Sequence, residues 1–152
     1  MSDWAFLAWW ATKTARAIAA DWKAGRYGSV VSVIAQVFVV VAGVFHLAVF
    51  AMESLLFRRP STYRRFLVKD DGEAAVARPW AFNQGFYNLF LALGALGGLV
   101  AGGDRGHAIA LFACACMAGA GIVLVACDRR MVQPAALQAV PPIAALVLAA
   151  VL

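Results

Sequence analysis

The residues with chemistry to offer are few, and they stand inside or at the ends of long apolar runs: His46, Glu53, Asn83, Gln84, Tyr87, Asn88 and Gln138. A histidine and a glutamate can take up or release a proton, while amides and a phenol can orient a ligand through hydrogen bonds. His46 and Glu53 are seven apart. On an α-helix seven residues advance ~700°, which returns within ~20° of the starting direction after ~10.5 Å of rise. The two therefore share a face without touching. Gln84 and Asn88 are i,i+4 neighbours, and Asn83 and Tyr87 form a second such pair on an adjacent strip. Together these residues form a candidate site for a ligand or a proton.

Burial in lipid makes such groups costly. An ionised carboxylate at the centre of a span costs at least ~2.5 kcal/mol. Glu53 must then face a bundle interior, stay neutral, or reach an arginine such as Arg58 or Arg78. The competing reading is interhelical glue, since Asn, Gln and His often join helices at ~0.6 kcal/mol per hydrogen bond. His46, Glu53, Asn83, Gln84 and Asn88 together, one of them a carboxyl, exceed what packing four short helices requires.

The elements that must position them are apolar stretches at about 30–56, 80–101, 107–127 and 135–152. The first three are long enough to cross a hydrocarbon core of ~30 Å at ~1.5 Å per residue. Helix one is expected over 29–57, closed by Arg58, Arg59 and Pro60. Helix two is expected to begin near Pro79 and Trp80, because proline suits a helix start. A tight turn is expected at 102–106, with helix three ending at Asp128. Pro141 and Pro142 interrupt helix four and leave the carbonyls of Leu137 and Gln138 without their usual donors, which predicts a kink buried in the bundle. Antiparallel packing of helices one and two puts the polar half of helix two beside Glu53, with Asn88 at a depth between Glu53 and His46. The expected fold class is all-α: an integral membrane four-helix bundle over 29–152, preceded by an amphipathic N-terminal arm over 1–28.

In the arm, Trp4, Leu7, Ala8, Ala11, Ala15, Ile18 and Trp22 recur at helical spacing, opposite Lys13, Arg16 and Lys23. With Trp9 and Trp10 the arm holds four tryptophans, a residue that favours the head-group level. It reads as an interfacial helix that anchors the chain or docks a partner. Gly94 and Gly98 form a G-x-x-x-G pair that lets another helix approach closely.

Composition excludes several classes. The chain is 64% hydrophobic and 14% charged, with mean hydropathy +0.80, against ~45–50% and ~25% in soluble domains, so a water-soluble fold is set aside. The net charge of +5 comes from bases that flank spans, which points to membrane lipids as partners and not to nucleic acid. Eight of the 13 Lys and Arg residues lie in 58–79 and 128–134. The positive-inside rule puts those loops in the cytoplasm and both termini outside, in a bacterial plasma (inner) membrane. The N-terminus starts with an acid, Asp3, and not with the basic region of a secretory signal, so the first span is read as a retained anchor. The three cysteines suggest no disulfide framework, and Cys114 and Cys116, two apart on a helix, cannot chelate one metal together. No metal site is expected, no cofactor is indicated, and no P-loop, H-E-x-x-H or G-x-S-x-G occurs.

The run Val41-Ala42-Gly43-Val44-Phe45-His46 followed by Glu53, and then Asn83-Gln84-Gly85-Phe86-Tyr87-Asn88-Leu89-Phe90-Leu91-Ala92, resembles a widespread family of small uncharacterised bacterial membrane proteins, a domain of unknown function. The resemblance covers about residues 30–152. It implies four spans and a membrane location, and it supplies no reaction. Phe45 stands where an acid is expected before the histidine.

Two functional readings follow. In one, a buried polar cluster on helices one and two binds a lipophilic small molecule or handles protons, with enzymatic activity left open. In the other, the chain is a non-catalytic accessory subunit, or a homo-oligomer, that docks through Trp4, Trp9, Trp10 and Trp22 and through the faces of Gly94 and Gly98.

Overall fold

The computed structural model of the chain describes residues 12, 13 and 33–151. Trp4, Trp9, Trp10 and Trp22 of the arm lie outside the described residues. From Val33 onward every regular element is helical. Helix α1 runs Val33–Phe50 and continues into a π-helical turn, Ala51–Leu55. A short helix α2, Pro60–Tyr63, leads into a 3-10 turn, Arg64–Phe66. Then come α3, Asp71–Ala101, and α4, Gly103–Cys127. A 3-10 turn, Arg129–Met131, introduces α5, Val132–Val151. The four long helical segments are apolar enough to cross a membrane, at 23, 31, 25 and 22 residues. The protein is thus a four-span, all-α integral membrane bundle.

Helix α1 packs on α3 and α5, and α4 closes the ring between those two, leaving α1 and α4 diagonal. Small side chains allow this. Ala42, Ala95, Ala110, Ala113 and Ala145 line the centre with Val39, Cys114 and Met117, all nearly inaccessible. A Cβ on Gly98 would stand 2.5 Å from the Gly106 carbonyl oxygen and 2.7 Å from the Ala110 nitrogen. Gly98 therefore serves the α3–α4 contact within the chain, and Gly94 likewise faces Ala113 of α4. Large apolar side chains, among them Val40, Val44, Phe90, Phe112 and Ile122, point outward, as a lipid-facing surface requires.

Three boundaries differ from those expected. Helix α3 starts at Asp71, not near Pro79. The Asp70 carboxylate accepts from Glu73 N at 2.9 Å, and Glu73 reaches back to Lys69 N at 2.9 Å, which is a side-chain cap that begins the helix two turns early. Pro79 then lies inside the helix, where it withdraws a donor from Ala75. Ala75 is exposed, so water can replace that donor. The α3–α4 turn is also shorter than expected. Gly102 and Gly103 both have positive φ, 62° and 61°, a region open to glycine, and Gly106 is already helical. Finally, α5 starts at Val132, ahead of the expected Ala135, and includes Pro141 and Pro142.

At about 46 Å for 31 residues, α3 outreaches a ~30 Å hydrocarbon core. Its first turns pack against the 58–70 segment in a small second core of Phe57, Tyr63 and Ala74, joined by Phe66 and Val68. Tyr63 donates its hydroxyl to Asp71 Oδ1 at 2.8 Å. What reads as a basic loop is thus a folded cap over one end of the bundle.

Candidate ligand-binding site

Beneath that cap all four spans border a cavity of about 840 Å³, within the ~300–1,000 Å³ typical of small-molecule sites. Helix α1 and its π turn supply Phe45, Val49, Met52 and Glu53. Helix α3 supplies Gln84, Tyr87, Asn88 and Leu91, helix α4 Val123 and Leu124, helix α5 Gln133, Leu137 and Gln138, and the cap Arg65 and Phe66. The wall is mostly apolar, and its polar atoms sit toward the capped end.

Glu53 and Asn88 form the centre of the polar wall. Both are buried. Asn88 Nδ2 donates to Glu53 Oε2 at 2.8 Å and also to the Gln84 carbonyl oxygen, one turn back, at 3.2 Å. No described residue hydrogen-bonds Glu53 Oε1. The meeting of α1 with α3 here depends on Gly85, whose missing side chain leaves room for Ser54 Oγ. Ser54 in turn donates to the Phe82 carbonyl oxygen at 3.0 Å. Glu53 lies at the middle of the π turn, a local widening of the helix that recurs at functional sites.

The sequence-derived candidates divide as follows. Glu53, Gln84, Tyr87, Asn88 and Gln138 all border the cavity. Asn83 and His46 do not. Asn83 is exposed and lies about 100° round the helix from Gln84 at 3.6 residues per turn, near the exposed Trp80. Gln84 and Tyr87 border the cavity at its edge and are themselves exposed, and Asn88 alone of these four is buried. His46 is fully buried and packs edge-on to Phe45. Its Nδ1 pairs with the Ala42 carbonyl oxygen at 2.8 Å, and its Nε2 has no partner among the described residues. With a carbonyl opposite it, Nδ1 must carry the proton, so Nε2 is the bare acceptor.

One charged residue of the cavity escaped the sequence reading. Arg65 borders the cavity from the cap, although in sequence it is one of several bases that report only orientation. The signal for it was Pro60 placed to start a helix, which folds the segment back on itself. Leu137 and Gln138, which the sequence singled out because their carbonyls lose donors to the two prolines, both border the cavity.

Outside the spans two side chains titrate abnormally. The hydrogen bond to Asp71 raises the Tyr63 phenol above its usual range. Arg130, which meets the Asp128 carboxylate at 2.7 Å, holds that acid below its usual range.

A family model described as "Protein of unknown function (DUF1304)" matches residues 39–150, which takes in α1 from its second turn through nearly all of α5. No curated protein and no solved structure matches the chain.

Proposed function

The chain belongs to the family described as Protein of unknown function (DUF1304), and from that premise we propose that it is a binding protein of the bacterial inner membrane that holds a lipophilic small molecule in the four-helix cavity. The apolar wall takes the hydrocarbon part. Glu53 and Asn88 take its polar group or exchange a proton with it. The capped end, with its arginines, faces the cytoplasm.

The observation that carries this reading is the Glu53–Asn88 hydrogen bond on the wall of a cavity shared by four spans. One interhelical hydrogen bond in a bilayer is worth ~0.6 kcal/mol and rarely above ~1.7, a small return for a carboxyl that is buried two residues from the end of its span and loses hydration there. A carboxyl held for packing alone would gain little. One held for a ligand, with an oxygen free toward the cavity, has a reason to be there.

The test is native mass spectrometry of protein taken from its own membrane in mild detergent. Wild-type protein should carry a lipophilic adduct. Glu53→Gln and Asn88→Leu should reach the membrane in normal amount and lose the adduct. Undiminished adduct in both variants would overturn the proposal.

A further inference from the structure

We propose that the ligand is a single-chain lipid whose anionic group lies outermost and is separated from the chain by a neutral hydrogen-bond donor such as a hydroxyl. This deepens the reading above and rests on the cavity being a ligand site. It follows from the order of groups along the wall. Arg65, beside Phe66 in the cap, borders the cavity at its capped end, which is the outer end along the direction of the spans. Its Nε donates to the Ser61 carbonyl oxygen at 3.3 Å, and no carboxylate among the described residues pairs with its guanidinium. A guanidinium with free donors recognises a phosphate or carboxylate through charge-assisted hydrogen bonds. Glu53 and Asn88 lie farther in. Glu53 Oε1 can only accept if the acid is ionised, and an anion is its worst neighbour, so the group that meets it is a donor without negative charge. Beyond them Phe45 and Leu91 offer no polar partner, which suits one hydrocarbon chain.

A head group binding in this order contacts Arg65 and Glu53 in succession. The opposite order would place a cation at Arg65 and an anion at Glu53. A lipid with a quaternary ammonium outermost is therefore disfavoured on charge at the capped end. The other cap arginines are exposed as well, but only Arg65 borders the cavity. Arg59 thus serves as an internal control for non-specific attraction of anions to a basic surface.

The experiment uses full-length protein, delipidated in a neutral maltoside detergent and titrated with three lauroyl probes read by native mass spectrometry. The probes are lauroyl glycerol phosphate, lauroyl glycerol, which lacks the anion, and dodecyl phosphate, which lacks the hydroxyl. Lauroyl glycerol phosphate should bind at least about tenfold more tightly than either of the others, the scale of one charge-assisted hydrogen bond. Arg65→Gln should remove about tenfold of that affinity while Arg59→Gln changes it little, and Arg65→Lys should restore part. Equal binding of all three probes, or equal loss in Arg65→Gln and Arg59→Gln, would overturn the assignment of head group. If the probes bind without charge preference but Glu53→Gln and Asn88→Leu still abolish binding, the cavity remains a ligand site and only the lipid class is wrong. If those two variants bind every probe as wild type does, the site itself falls. Replacing the lauroyl probes by inorganic phosphate separates a lipid from a free anion. Phosphate alone binding as tightly as the lipid would also sink the proposal.

Discussion

At the scale of single residues, stability and ligand occupancy should come apart. Asn88 contributes one interhelical hydrogen bond, so Asn88→Leu should lower thermal stability in detergent by no more than about 1–2 kcal/mol while eliminating the bound lipophile. A collapse in melting temperature with no change in occupancy would make the pair structural. His46 offers the converse case. Its Nε2 is buried with no partner among the described residues, a condition that costs about 1–3 kcal/mol. His46→Leu, which fills the space with an apolar side chain, should therefore melt at the same temperature or higher. A drop of several degrees would reveal a partner for Nε2. Tyr63 gives a pH signature. Its phenol is raised by the hydrogen bond to Asp71, so the stabilisation is complete below the ordinary value near 10 and fades as pH climbs through the raised folded value. In wild type, proteolysis of the 58–70 segment should accelerate in that alkaline window, and Tyr63→Phe should be susceptible at neutral pH already. Identical protection of both proteins at every pH would exclude the contact.

At the scale of elements, α3 contains its own control. A Cβ at Gly98 collides with α4 backbone, whereas nothing lies within 4 Å of Gly97. Gly98→Ala should therefore part α3 from α4 and lower the melting temperature. Gly97→Ala should leave it unchanged or raise it slightly, because alanine is the better helix former by about 1 kcal/mol. Equal effects would mean that α3 is rotated from the position described. The same helix shows what a sequence can and cannot disclose. Its span was legible because lipid demands an unbroken apolar run, and the shared strip of Gln84 and Asn88 was legible from their spacing of four. Its true start was not, because apolarity ends near Trp80 while the helix continues through Asp70 capping into water. The polar half of helix two beside Glu53 followed from antiparallel packing, but the direct Asn88–Glu53 hydrogen bond did not, because rise per residue alone placed Asn88 between Glu53 and His46. The π turn around Glu53 did not, since no residue type there signals a widened helix. Arg65 was hidden for a related reason. Charge in a loop reports which side of the membrane it occupies, and only the fold of the cap shows that one of those charges turns back toward the bundle.

At the scale of the whole molecule, the cavity has a polar and an apolar end, so its function depends on which side of the membrane the cap occupies. Residues 58–79 and 128–134 hold eight of the 13 Lys and Arg residues, against Arg105 at the α3–α4 turn and Lys13, Arg16, Lys23 and Arg26 before α1. Loops this short follow the positive-inside bias, because lysine and arginine are retained where the membrane potential is negative. Trp80 is exposed two residues beyond Arg78, and an indole there marks the head-group level, so the α3 residues before it stand in water with the cap. Cysteines introduced at Ser61 in the cap and at Asp104 in the opposite turn distinguish the two orientations. Both positions are exposed. With Cys127 replaced by serine to remove the exposed native thiol, a membrane-impermeant maleimide applied to spheroplasts should label the Asp104→Cys protein at once. The Ser61→Cys protein should react only after the membrane is opened. The reverse pattern would put Arg65 and the capped end of the cavity outside the cell, and the ligand would then enter from the outer leaflet instead of the inner one.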